Sequence, residues 1–146
     1  MFWKLHPEVA IEIEEGTIMD PSVHPPIVEK LSVRFEGWLG DDLLETFPCF
    51  LVTDRLRHAI EATGFTGCSF DEVEVSKSEE FDEMYPGREL PRFWWMKIPG
   101  MAAKDDFGIS TDHCLVVSQR VFDLIMSFQL DNCDAEEFGD LTPPVR

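Results

Sequence analysis

Basic residues are scarce in this chain. Lysine and arginine total 12 against 29 aspartate and glutamate residues, which gives a formal net charge of −17 over 146 residues. A surface of this sign repels nucleic acids and anionic membranes, and it attracts basic proteins at an increased rate. We therefore expect no nucleic acid and no membrane among the partners. A basic protein is the partner that the charge favours, and simple solubility is the alternative explanation of the acidic surface.

Sequence motifs of well-known enzyme chemistry are also missing. The chain has no glycine-rich phosphate loop, no G-x-S-x-G turn and no H-E-x-x-H helix. Asp112-His113-Cys114 suggests a cysteine nucleophile, but catalytic cysteine and histidine residues meet in space rather than along the chain. We therefore predict no catalytic residues, and a protein that is not an enzyme. A small enzyme with a site of scattered carboxylates and histidines remains the alternative.

Closely spaced cysteine pairs, which zinc sites use, do not occur. The four cysteines are Cys49, Cys68, Cys114 and Cys133, and none forms a C-x-x-C motif. We predict that they are free thiols packed as small apolar side chains, with no metal and no cofactor. Asp105-Asp106 lacks the pattern of a calcium loop and is interpreted as a solvated loop.

Long apolar runs are absent as well. No stretch approaches the roughly 20 apolar residues that a membrane-spanning helix needs. The first residues, MFWKLHPEVAIEIEEG, contain neither a long apolar core nor a small-residue cleavage site. A cytoplasmic protein is therefore expected.

The chain does contain an internal repeat. CFLVTDRLRHAIEATGFTGC (49–68) and CLVVSQRVFDLIMSFQLDNC (114–133) share five identical positions. In each, an apolar run predicts a buried strand, and Thr53 or Ser118 then caps a helix whose apolar residues recur at helical spacing. Gly64 and Gly67 are expected to end the first helix. Arg55 and Arg120 occupy equivalent positions, and each is expected to pair with a nearby carboxylate.

The remaining segments complete an α+β prediction: a mostly antiparallel sheet with two similar strand–cap–helix units in a single domain, 1–146. Strands are predicted within 1–15, 31–40 and 91–100, a helical turn in 41–48, a loop in 101–113 and a frayed tail at 139–146. Trp94 and Trp95 should face opposite sides of a sheet.

An acidic segment carries the predicted partner-binding residues. Its carboxylates are Glu72, Glu74, Glu79, Glu80, Asp82 and Glu83. Such a surface can imitate a phosphate backbone and pair with the arginines and lysines of a protein that acts on nucleic acid. Trp94 and Trp95 complete the predicted contacts, because exposed tryptophans dominate interfaces. The alternatives are a solvated strand edge, and an adaptor protein that dimerises through the Trp94/Trp95 strand.

Residues 64–128 resemble a family of bacterial proteins. The segments ELPRFWWMKIPG, DDFGIS and LVVSQRVFDLI are similar to those of immunity proteins encoded beside polymorphic toxins, related to the imm11-like and double-CxxCG families. The CxxC motifs of the latter are missing, so no metal role carries over. The resemblance implies a protein that binds and neutralises one cognate toxin by stoichiometric interaction.

Overall fold

Short strands and three short helices alternate along the chain. The computed structural model describes residues 1–9 and 11–138, and the tail predicted to fray, 139–146, lies outside them. The elements are β1 (Phe2–His6), β2 (Ile11–Ile13), β3 (Ile18–Asp20), β4 (Ile27–Lys30), β5 (Ser32–Phe35), β6 (Leu43–Thr46), β7 (Cys49–Thr53), α1 (Asp54–Glu61), β8 (Ser69–Asp71), β9 (Glu74–Lys77), α2 (Glu79–Met84), β10 (Phe93–Lys97), β11 (Phe107–Ile109), β12 (Leu115–Ser118), α3 (Gln119–Met126) and β13 (Asp134–Glu137). The mixed α+β prediction is confirmed.

The strands form two four-stranded sheets and two smaller ones. The first sheet has the order β6-β7-β10-β8 and the second the order β11-β12-β1-β13. All neighbours within these two sheets are antiparallel. A three-stranded sheet, β2-β5-β9, contains the parallel pair β5/β9, and β3 and β4 form a hairpin. The antiparallel pattern therefore dominates, as predicted.

Both predicted strand–cap–helix units are present, as β7 followed by α1 and β12 followed by α3. Ser118 caps α3, because its hydroxyl accepts the Val121 N–H at 3.3 Å. The predicted cap at Thr53 is wrong: this hydroxyl makes no cap bond and donates instead to the Asp42 carboxylate. Only one of the two hydroxyl residues is therefore a side-chain cap.

Two glycines follow α1, as the sequence predicts. Gly64 and Gly67 have φ angles of +75° and +96°, which other residues rarely adopt. At Gly67 a Cβ atom would lie 2.2 Å from the Phe107 carbonyl oxygen. This position therefore excludes any side chain on two independent grounds.

The duplication extends to a strand that the 20-residue repeats do not include. In β10, Trp94 lies opposite Val52 of β7, and in β1, Trp3 lies opposite Val117 of β12. Val52 and Val117 are themselves equivalent positions of the repeat. The sequences FWKL in β1 and FWWM in β10 therefore occupy the same place in two sheets that are built alike.

Side-chain contacts repeat at these equivalent positions. The indole N–H of Trp94 donates to Asp54 Oδ1 at 2.7 Å, and that of Trp3 donates to Gln119 Oε1 at 2.8 Å. Asp54 and Gln119 are the first residues of α1 and α3. Each unit therefore fastens the start of its helix to a tryptophan of the central strand.

The chain order shows that these two strands are exchanged. β1 precedes β6 in the sequence but pairs with β12 and β13, whereas β10 precedes β11 but pairs with β7 and β8. Each sheet thus takes one central strand from the other half of the chain. We refer to β1 and β10 as the exchanged strands.

Asp42 connects the two units through a buried carboxylate that is 1% exposed. It accepts two hydrogen bonds from Arg55, from Nε and Nη2, both at 2.7 Å, in addition to the Thr53 bond. It also accepts the backbone N–H of Gln129 at 2.9 Å. Gln129 follows α3, so the Asp42 carboxylate ties the first unit to the second.

Asp106 makes the reciprocal connection. It accepts the Ser118 hydroxyl at 2.8 Å, Arg120 Nε and Nη2 at 2.9 and 2.7 Å, and the Thr66 N–H at 3.0 Å. Thr66 follows α1, so this carboxylate ties the second unit to the first. The predicted pairing of both arginines is confirmed. The solvated-loop interpretation is wrong for Asp106, which is only 8% exposed. These four hydrogen bonds compensate the buried carboxylate.

Two hydrophobic cores lie on the two faces of the first sheet. The first core joins α1, α3 and both four-stranded sheets, with buried residues that include Leu56, Ile60, Val121 and Ile125. The second joins the first sheet to the three-stranded sheet and α2, through Leu51, Phe35 and Phe81 among others. Burial on both faces explains why every residue of β7 is buried and its sequence is a continuous apolar run.

Two segments interrupt the duplicated body. We define them as the first insertion, 7–42, which contains β2 to β5, and the second insertion, 72–92, which contains β9 and α2. Because β5 pairs with β9, the two insertions together form the three-stranded sheet. The predicted strand within 1–15 is two strands, β1 and β2, and Val9 between them is 68% exposed. The helical turn predicted in 41–48 is wrong, since β6 pairs with β7 there. The loop predicted in 101–113 is only partly a loop, since it contains β11, which pairs with β12.

Candidate functional site: an acidic helix beside a groove

Four of the predicted partner-binding carboxylates lie on α2. The Ser78 hydroxyl caps this helix by accepting the Phe81 N–H at 3.0 Å, and acidic residues fill its first turn, where the helix dipole favours them. Phe81 is completely buried in the second core and fixes the orientation of the helix. Glu79, Glu80, Asp82 and Glu83 are consequently exposed.

Most of this charge has no compensating partner. Asp82 Oδ1 lies 3.6 Å from Lys77 Nζ. Within the described part of the chain, no salt bridge involves Glu79, Glu80 or Glu83. Met84, at the end of the same helix, is 59% exposed. α2 thus presents three uncompensated carboxylates with an apolar side chain beside them, a combination suited to a basic protein surface.

Glu72 and Glu74, the other two predicted carboxylates, line a groove of about 710 Å³ together with Trp95. Glu74 pairs with Lys30 at 3.1 Å and Glu72 with Arg92 at 3.6 Å, and all four side chains are at least half exposed. Exposed pairs of this kind contribute roughly 0–1 kcal/mol and exchange partners readily. A cationic partner can therefore compete for these carboxylates.

Lys77 joins the groove to α2. It lines the groove, lies near Asp82, and its ammonium group donates to the Arg88 carbonyl at 3.0 Å. The structure therefore brings the six predicted carboxylates into two neighbouring sets, one along the groove and one on the helix at its end. We call the two sets together the acidic surface.

The two tryptophans face opposite sides of the first sheet, as predicted. Trp95 is 5% exposed and packs in the second core, so it offers a partner little area beyond the floor of the groove. Trp94 is half-buried on the other face, and the guanidinium groups of Arg57 and Arg92 each lie 4.0 Å from its ring centre. Trp94 is thus covered by the chain's own cations and lies outside the groove.

The sequence cluster around His113 does not form a nucleophile and base pair. Cys114 Sγ contacts the Asp112 carbonyl oxygen at 3.8 Å, and burial raises the pKa of its thiol. The His113 ring packs against His24 and Phe47, with centroid distances of 5.1 and 5.9 Å. A catalytic cysteine needs a lowered pKa, so these contacts do not favour thiol chemistry.

All four cysteines are free, as predicted. Burial raises the pKa of Cys49, Cys68 and Cys133 to about 12, from an ordinary value of 9.0. Among the described residues, no group of three or more histidine, cysteine or acidic side chains is arranged to hold a metal ion.

The raised pKa values predict slow thiol chemistry. A rise of three pKa units lowers the thiolate fraction about a thousandfold, and the thiolate is the reactive form. We expect Cys49, Cys68 and Cys133 to react with a disulfide reagent at pH 8 at least about tenfold more slowly in the folded protein than in guanidinium chloride, because the loss of thiolate outweighs the greater nucleophilicity of a more basic thiolate. Absorbance at the released thiolate band measures this, and rapid native reaction of more than one thiol per chain contradicts it.

Comparisons with known proteins identify no relative. No protein-family model matches the chain, and neither the curated proteins nor the solved structures include a match to it.

No helix within the described residues is long and apolar enough to cross a membrane.

Proposed function

We propose that this chain is an immunity-type protein, which binds one basic bacterial toxin in a stoichiometric complex and neutralises it. The observation that carries the proposal is the acidic face of α2. Phe81 anchors this short helix, and its Glu79, Glu80 and Glu83 are exposed and form no ion pair with any described residue. Such fixed charge attracts a basic partner over a distance, and the groove beside it supplies further carboxylates. The sequence resemblance to immunity proteins points to the same class of partner.

A toxin that acts on nucleic acid suits this surface best. Its substrate site needs lysine and arginine side chains placed to neutralise phosphates, and an acidic surface of similar spacing occupies them. The resulting complex excludes the substrate without any reaction. The inhibitor then requires no catalytic residue, metal or cofactor.

Charge reversal on α2 tests the proposal. We expect replacement of Glu79, Glu80, Asp82 and Glu83 by lysine to slow association with the toxin at least 100-fold at low salt, because steering by charge accounts for rate increases of about 10 to 1,000. Dissociation should change less. The partner is first isolated with the tagged protein from the native host, and association rates are then measured by surface plasmon resonance at several salt concentrations.

A matched control is available on the second sheet. Replacing Asp131, Asp134, Glu136 and Glu137 by lysine makes the same change in net charge at exposed positions that lie outside the acidic surface. We expect this variant to retain most of the association rate, and circular dichroism should show both variants folded. Equal slowing by the two variants would mean that only the total charge matters and would reject the acidic surface as the binding site.

The two alternative functions receive less support. An adaptor that dimerises through the Trp94/Trp95 strand requires a free strand edge, but β10 is hydrogen-bonded to β7 on one side and to β8 on the other. An enzyme would need free titratable groups, but Asp42 and Asp106, two buried carboxylates with lowered pKa, are occupied by the contacts that join the two units. Sedimentation over a range of concentrations tests the dimer directly.

A further inference from the structure

A second cavity, of about 700 Å³, lies between the β3–β4 hairpin, the β6–β7 turn and the end of β10. Its walls are mostly proline, aliphatic and aromatic side chains, among them Phe47, Pro48, Met96 and Ile98. Phe47 is 44% exposed at its opening. A mostly apolar cavity of this size with few polar groups has the usual form of a ligand site.

Among the described residues that line this cavity, the basic and acidic side chains are Glu45, Lys97 and His113. Lys97 Nζ pairs with Asp71 at 3.1 Å, so its charge is already matched. The His113 ring packs against His24. Glu45 is therefore the charged lining residue that has no ion-pair partner among the described residues.

Glu45 is half-buried and sits at the middle of β6. Its backbone N–H donates to the Glu8 carbonyl at 2.9 Å, which fixes its position. Within the described residues, its carboxylate takes part in no hydrogen bond and no salt bridge to another side chain. Burial raises the pKa of this carboxyl and the nearby His6 lowers it in part, so the cost of burial exceeds the compensation that the charged form receives in the free protein.

We propose that this cavity binds a lysine or arginine side chain of the partner protein, with Glu45 as the counter-ion of the charged head and the apolar walls around the methylene stem. This inference rests on the proposed function for the source of the side chain. An anion is disfavoured because Lys97 is already paired, and a neutral ligand would leave Glu45 without compensation. Long cationic side chains bury their stems and keep the charged head paired, which matches the two parts of the cavity.

The chemistry can be tested without the partner. The probe is n-pentylammonium, whose five carbons correspond to the Cα and the four side-chain carbons of lysine, and 1-pentanol is its neutral counterpart. Backbone amide shifts are followed by NMR during titration. We expect n-pentylammonium to shift residues 45–50 and 95–98, with a Kd on the order of 10 mM for so small a ligand, and 1-pentanol to bind at least tenfold more weakly.

Two variants separate the cavity from general attraction to an acidic protein. Glu45→Gln keeps the shape and removes the charge, and should weaken n-pentylammonium at least tenfold. Glu137→Gln removes the same charge from an exposed position on β13, outside both the cavity and the acidic surface, and should leave the affinity unchanged. Equal binding of the two probes, no binding at these residues, or an unchanged affinity in Glu45→Gln would each overturn the proposal.

The experiments distinguish an error in the cavity proposal from an error in the proposed function. If n-pentylammonium binds as expected but no basic protein partner exists, the cavity is a cation site and the proposed function is wrong. If the α2 reversal weakens the toxin complex while the probes show no preference, the proposed function holds and the cavity proposal is wrong. If both hold, Glu45→Gln should also weaken the toxin complex at least tenfold, and an unchanged toxin affinity would remove the partner's side chain from the cavity.

Discussion

Replacing Asp106 by alanine is expected to lower the free energy of unfolding by about 3 kcal/mol, and Asp42→Ala should have a similar effect. Each substitution removes a buried carboxylate and leaves an arginine, a hydroxyl and a backbone N–H without their acceptor. Buried donors that lose their acceptors cost roughly 1–3 kcal/mol each, and breaking a buried pair costs about 3–5 kcal/mol. The exposure of Arg55 and Arg120, 63% each, places the estimate at the lower end.

Chemical denaturation measures this effect, with Asp123→Ala as the control. Asp123 lies on the exposed face of α3, where a substitution should change stability by less than about 0.5 kcal/mol. A loss below 1 kcal/mol in both Asp42→Ala and Asp106→Ala would contradict the role assigned to these residues. The variants should also expose thiols faster, since the contacts that join the units are gone.

The same carboxylates predict how stability depends on pH. Hydrogen bonds from Arg120, Ser118 and Thr66 hold the pKa of Asp106 well below its ordinary value. A carboxyl with a lowered folded-state pKa stabilises the protein above its unfolded pKa, near 3.9, and loses that contribution as the pH falls below it. The wild-type protein should therefore lose stability more steeply below pH 4 than Asp106→Ala does.

Removal of residues 1–7 is expected to abolish the folded second sheet. These residues contain β1, which lies between β12 and β13 and is hydrogen-bonded to both. Leu5 is fully buried, and Trp3 stacks on Phe122 with ring centroids 4.4 Å apart. Losing a central strand exceeds the 2–5 kcal/mol that a single buried leucine contributes, and most domains have little more stability to lose.

Because β1 comes from the other half of the chain, the missing strand should be replaceable by a separate peptide. We expect a peptide of residues 1–8 to restore near-ultraviolet circular dichroism and amide protection of β12 in the shortened protein. A peptide with Leu5→Asp should not do so. Full native signal in the shortened protein without any peptide would show that β1 does not complete the sheet.

Local patterns in the sequence predicted the features that depend on neighbouring residues. The apolar runs of β7 and β12, the spacing in α1 and α3, and the glycines after α1 are such features. The opposite orientations of Trp94 and Trp95 follow from strand geometry alone. Pairing of Arg55 and Arg120 was predictable because acidic side chains far outnumber basic ones in this chain, so each arginine has carboxylates within reach.

Features that depend on distant residues were not predictable in this way. The segment 41–48 reads as a helical turn, but pairing with β7 makes it a strand. FWKL near the start of the chain and FWWM at 93–96 are similar. However, they lie further apart than the two 20-residue repeats, so they do not align at the spacing of those repeats. Asp106 gives no local sign of burial, because its partners Thr66 and Arg120 are far away in sequence.

The sequence predicted which residue types form the candidate site, but it did not predict how the fold arranges them. The acidic segment was evident from its residues, but Phe81 shows its role only when the second core is known. The sequence did not single out Glu45 among the 29 acidic residues, because only the folded structure shows that it lines an apolar cavity.

The two insertions have a consequence for how such a protein can change its partner. All six carboxylates of the acidic surface belong to the second insertion, and the duplicated body adds Trp95 to the groove. However, β9 of this insertion is held by β5 of the first, and Phe81 packs among residues of both. Under the proposed function, a new binding specificity must therefore be acquired by the two insertions jointly. Grafting 72–92 alone into another body would separate α2 and β9 from β5, the strand that supports them.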